Sequence, residues 1–112
     1  MTRYFISFDD GAMTFPEEDL PAVSDASHAV VEEARAAGVW VTGGGIGEDR
    51  VSVVDTDGTV REDPYPADHR RVGGFCVLEV ASREEALHWA ARLAAACRCP
   101  QDVRALIDDP AA

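Results

Sequence analysis

Apolar residues recur along the chain in two rhythms. From Arg3 to Asp9 they run almost without a break, with Tyr4, Phe5, Ile6 and Phe8, which predicts a strand that is central in a sheet or covered on both faces. After a loop punctuated by Pro16 and Pro21, helical spacing takes over. Val23, Ser27, Val30, Val31 and Ala34 predict a helix from Pro21 or Ser24 to Ala37, with Gly38 placed for a left-handed cap. A short strand is expected over Val39–Thr42, followed by a backbone turn at Gly43-Gly44-Gly45-Ile46-Gly47. Asp57-Gly58 is a hairpin signal between strands at Arg50–Asp55 and Thr59–Glu62. A polar loop over residues 63 to 72 leads to a strand at Gly74–Val80. Ser82-Arg83-Glu84-Glu85 then has the form of a capping box opening a second helix, whose stripe is Ala86, Trp89, Ala90, Leu93 and Cys97. Pro100 stops that helix, and Asp102–Ile107 predicts a final strand.

The order is β-α-β, a hairpin, then β-α-β. That is α+β, a ferredoxin-like split βαβ pattern with an inserted β-hairpin, and the 112 residues fit one domain. Two amphipathic helices cover one face of such a sheet. Tyr4, Ile6 and Leu78 are expected on the other face, where a partner would bury them, so the chain is expected to be a homodimer of the dimeric α/β barrel type with sheets face to face.

Charge narrows the function. Ten arginines, with no lysine, face 21 acidic residues, giving a net charge of −11. Neither a phosphate backbone nor an anionic membrane surface favours such a partner, so nucleic acid and membrane are not expected. No apolar run reaches the roughly 20 residues of a membrane span, and the first residues lack a signal-peptide core, which predicts a cytoplasmic protein. Cys76, Cys97 and Cys99 form no zinc-type spacing, and Cys76 and Cys97 read as small buried hydrophobes; no metal or cofactor is called for. The glycine run opens no helix, so it lacks the context of a phosphate cradle. Trp40 and Trp89 read as core anchors and His88 as a solvent-facing residue.

The string Arg71-Val72-Gly73-Gly74-Phe75-Cys76-Val77-Leu78-Glu79-Val80, continued by Glu84-Glu85-Ala86-Leu87-His88-Trp89-Ala90, resembles the YCII-related family in its DGPF branch. Ala37-Gly38-Val39-Trp40-Val41 with Gly43-Gly44-Gly45-Ile46, and Asp102-Val103-Arg104 near the end, are similar to further family motifs. The resemblance implies a ferredoxin-like fold, dimerisation through the sheets, a cleft at the dimer edge and, in some branches, small-molecule chemistry on a histidine–aspartate pair. This chain departs from the signature. Asp-Gly-Pro-Phe falls on Glu62-Asp63-Pro64-Tyr65, so an aspartate stands where the family has glycine. Asp63 precedes a proline, which biases it towards extended backbone. The family's dyad histidine falls near Ser27, beside His28, and its aspartate position meets Ala91 and Leu93.

Two clusters remain as candidate chemistry. His28 on the first helix and Asp9 at the end of the first strand are expected to approach one another, since a carboxylate orients an imidazole as a base near neutral pH. The plainer alternative for His28 is a surface position on a helix. His69, a second catalytic candidate, with Arg70, Asp63 and Tyr65 as ligand-binding residues, marks the middle loop, where an arginine fork would clamp a small anionic or carbonyl metabolite; the plainer alternative is a solvated basic loop paired with the acidic surface. The function expected is therefore a small-molecule enzyme or ligand-binding domain with a cleft near the dimer interface. The alternative is a non-catalytic dimeric assembly or regulatory module.

Overall fold

A computed structural model describes residues 1–47 and 50–112. Its main sheet has four strands in the order β2-β5-β1-β6: β2 is Trp40–Gly45, β5 Val72–Val80, β1 Thr2–Asp9 and β6 Asp102–Ala105. All three neighbouring pairs are antiparallel. Helix α1, Leu20–Ala36, links β1 to β2, and α2, Arg83–Cys97, links β5 to β6. Each β-α-β crossover thus straddles a strand of the other, and the chain is α+β. Between β2 and β5 the chain makes a separate two-stranded sheet of β3, Ser52–Val54, and β4, Val60–Glu62.

Local chemistry accounts for the element ends. Gly38, at φ +75°, closes α1 in the left-handed region that glycine adopts without penalty. At the start of α2 the Ser82 hydroxyl accepts the Glu85 amide at 3.1 Å, and the Glu85 carboxylate accepts the Ala81 amide at 3.2 Å. The capping box therefore forms, its return arm reaching one residue further back than expected. In the hairpin, Asp57 Oδ1 accepts the Thr59 amide at 2.9 Å and Gly58 takes φ +87°. Arg61 grips Asp55 with two hydrogen bonds of 2.9 and 3.1 Å across the same turn.

The expected glycine turn after β2 is instead part of the strand. Gly43, Gly44 and Gly45 pair with Cys76, Phe75 and Gly74 of β5. A Cβ built at Gly43 would sit 2.7 Å from Cys76 Cβ and from the Phe75 carbonyl oxygen, so this close backbone approach requires glycine.

The faces of the sheet are the reverse of the expected ones. Tyr4, Ile6 and Leu78 lie beneath the helices, buried with Val30, Ala34, Trp89, Ala90 and Leu93. A continuous apolar run carries no phase, and alternation leaves Phe5, Phe75 and Val77 on the open face. There Phe5 pairs with Val77, and its ring stacks on Phe75 with centroids 5.5 Å apart. Fully burying Ile6 or Leu78, at 0% and 1% exposure, is worth roughly 1.5–3 kcal/mol each. α1 and α2 are joined at the surface by an ion pair between Glu33 and Arg92. None of the described helices is long and apolar enough to cross a membrane.

Candidate functional site

The segment joining β4 to β5 gathers most of the residues singled out from the sequence. It begins at Asp63, whose φ of +42° is left-handed rather than extended. Aspartate tolerates this region better than most residues because its short polar side chain can bond locally. Here the Arg71 guanidinium donates to its carboxylate, and the Asp63 amide donates to the Val51 carbonyl at 2.6 Å. The tertiary bonds override the preference set by Pro64. Further along, the Tyr65 and His69 rings stack face to face, with centroids 4.0 Å apart and an 8° interplanar angle.

Arg70 ties this loop to the sheet. Its Nε and Nη2 donate to the two Asp9 oxygens at 2.9 and 3.1 Å, and Nη2 also donates to Asp102 at 2.8 Å. The hydrogen bonds to Asp9, with the charges of Asp9 and Asp102, hold its proton more firmly than in free arginine. Asp9, Asp63, Tyr65, His69 and Arg70 thus line one open cleft of about 590 Å³, together with Asp10, Asp68 and Arg71. The lining carries four aspartates against two arginines, and the Arg70 fork is engaged by Asp9. An anion entering there would have to displace a carboxylate from Arg70 and face the others.

His28 lies elsewhere. It lines a cavity of about 330 Å³ between α1 and the β2 side of the sheet, with Ile6, Phe8, Met13, Val31, Trp40 and Leu93 as apolar walls and Ser27, Arg35 and Gln101 as polar ones. Its Nδ1 is 3.2 Å from Ser24 Oγ, one turn earlier on α1. Asp9 does not line this cavity; it shares a groove with Phe5 and Ser7 of the open face. The expected His28–Asp9 approach is therefore not formed, because α1 covers one side of the sheet and the Asp9 carboxylate turns to Arg70 on the other.

Several cavity residues carry no sequence signal of a site. Arg35 sits seven residues after His28 with Val31 between, which is one helical stripe, and its guanidinium lies 5.6 Å from the Trp40 ring centroid. Trp40 is only half-buried there, whereas Trp89 is a core anchor as expected. His88 is exposed. Met13 belongs to the loop before α1, and that loop is pinned by Arg98, which donates to Asp19 at 2.8 Å and lies 5.9 Å from the Phe15 ring centroid. No local signal in the sequence joins Arg98 to residues 79 positions away. Cys76 and Cys97 also line the cavity, and burial pushes both thiols up, Cys76 to about 12. Raised thiols are poor nucleophiles and poor metal ligands at neutral pH. Among the described residues no three or more His, Cys, Asp or Glu side chains gather as a metal-binding group.

Fold and cavity together define an α+β domain with one helix-covered sheet face and an apolar cavity beneath the first helix. The chain belongs to the YCII-related family: the YCII-related domain model matches residues 4–98. No curated protein matches the sequence.

Proposed function

We propose that this chain is a small-molecule-binding domain whose ligand seat is the cavity beneath α1. One observation carries the reading: the space of about 330 Å³ falls within the range of small-ligand sites and has their make-up, apolar walls with a few polar groups among them. His28 then serves to orient a ligand by hydrogen bonding, since its neighbour is the Ser24 hydroxyl and not a carboxylate. Acid–base chemistry by His28 would draw its second group from the ligand or from a partner subunit.

The reading includes the ferredoxin-like topology, the DGPF branch of the family and a homodimer built sheet to sheet. The open face supports that assembly through its composition. Phe5, Phe75 and Val77 form an apolar centre, and Arg3, Arg104, Glu79 and Asp102 place both signs of charge on the surrounding strand positions. A twofold axis can therefore set arginine against carboxylate. Val77→Asp is expected to give a monomer by light scattering at micromolar concentration while retaining the far-ultraviolet spectrum. A parent protein that is already monomeric would refute the dimer.

The ligand seat is tested by amide NMR of the full chain against a small fragment set containing acids, amides and phenols. Binders are expected to shift resonances of α1 around His28 and Val31 and of β2 around Trp40. Ser27→Phe, which fills the cavity from the helix side, is expected to abolish those shifts. Fragments that perturb only the segment 63–71 would overturn the assignment of the seat.

The cleft lined by Asp9, Asp63 and Arg70 supports a second, structural role for the middle loop. Its arginines are paired with its own acids, which suits a brace that fixes the loop against β1 and β6.

A further inference from the structure

We infer that the ligand taken by the cavity beneath α1 is a small planar apolar carboxylate, with Arg35 as its anion partner. The inference rests on the reading of that cavity as the ligand seat. It starts from a contrast of charge. The chain has 21 acidic residues, yet among the described residues no aspartate or glutamate lines this cavity. Arg35 is the permanent cation on its wall, and His28 is the other basic group. In a protein of net charge −11, a space with no carboxylate among its described lining residues and with arginine at its edge is where a negative headgroup meets little repulsion. The cleft at Arg70, with four aspartates in its lining, is its electrostatic opposite.

Arg35 is also available. Its ion pair with Glu32, at 2.7 Å, is an exposed pair three residues apart on α1, with the two side chains 55% and 69% accessible. Such pairs contribute little, so the guanidinium turns to a ligand carboxylate without a large loss. The Trp40 ring under it keeps the fork near the cavity mouth and gives a flat apolar surface beside the headgroup.

The walls favour a planar body. Trp40 and Phe8 bring two aromatic rings to the lining, and β2 contributes Gly43, Gly44 and Gly45, a stretch of bare backbone. A buried apolar space of roughly 150 Å³ admits benzene. The cavity, about twice that, has room for one ring with a short chain or for two fused rings. His28 precedes Arg35 by seven residues, roughly 10 Å along the helix, so it would meet a hydroxyl or carbonyl at the far end of the ligand.

Calorimetric titration of the full chain with 3-phenylpropanoate and with its neutral amide, 3-phenylpropanamide, tests this. The acid is expected to bind at least tenfold more tightly than the amide. Arg35→Gln should erase that difference while leaving the amide's affinity unchanged, and Glu32→Gln, which frees the guanidinium, should tighten the acid two- to threefold. The circular dichroism of both variants checks that α1 is intact. An amide that binds the parent protein as tightly as the acid would overturn the carboxylate inference while leaving the cavity as a ligand seat. Failure of both compounds to bind would overturn the inference and the seat together.

Discussion

Asp63 offers a sharp test of how the middle loop is held. Its backbone lies at φ +42°, where an L side chain other than a short polar one costs roughly 1–2 kcal/mol and glycine costs nothing. Replacing Asp63 by alanine or by glycine removes the partner of Arg71 equally, so that loss cancels when the two variants are compared. What remains is the strain, which favours glycine, offset by the extra freedom of a glycine in the unfolded chain, roughly 0.4–1 kcal/mol. Asp63→Gly should therefore be more stable than Asp63→Ala by about 0.5–1 kcal/mol, or roughly 2–4 °C in Tm for a chain of this length. At an ordinary position the order is the reverse, with alanine ahead. Urea denaturation of the two variants, followed by tryptophan fluorescence, measures the difference directly. Equal stability, or alanine ahead, would mean that the residue is not held left-handed in solution and that the bonds to Arg71 and Val51 do not set its backbone.

Three further outcomes follow from the same structure. Ser82→Ala removes the acceptor for the Glu85 amide and should cost about 1 kcal/mol of stability, read as a lower urea midpoint with an unchanged slope. Burial raises the Cys76 thiol from 9.0 to about 12, so the folded chain holds that proton more tightly than the unfolded one; the stabilisation is complete below pH 9 and lost as pH climbs towards 12. Stability should fall by up to about 1.4 kcal/mol per pH unit across that window, and Cys76→Ala should flatten the decline. Asp9→Asn weakens the grip on Arg70 and should speed amide exchange at Asp10, whose N–H donates to the Arg71 carbonyl at 2.7 Å, with little change at Leu78 in the core.

What could be read from the residues was governed by locality. The capping box at Ser82, the left-handed stop at Gly38 and the Asp57-Gly58 turn all depend on neighbours within a few positions, and each formed. The expected element order was matched for the same reason, since periodicity is a local signal. The phase of β1 was not legible, because Tyr4-Phe5-Ile6 is apolar at every step and the choice of buried face belongs to α2 and β5. The glycines after Trp40 looked like a turn, yet their conformation is set by pairing with β5, some 30 residues on. The cluster of Asp63, Tyr65, His69 and Arg70 was visible as a loop, whereas its link to Asp9 spans 61 positions and turned the expected anion clamp into a tether within the fold. The stripe of His28, Val31 and Arg35 lay in the helical spacing, but only the packed sheet gives it a hollow to face.

The clamp of Arg98 on Phe15 and Asp19 bears on how anything reaches that hollow. Met13, two residues before Phe15, forms part of the wall, while Arg98 stands at the far end of α2 in a left-handed position of its own, at φ +58°. The wall at Met13 and the end of the second helix are thus joined through one side chain. The guanidinium that holds the Met13 loop belongs to the residue whose own amide closes α2 on the Ala94 carbonyl, so a change at Arg98 reaches the hollow without lining it.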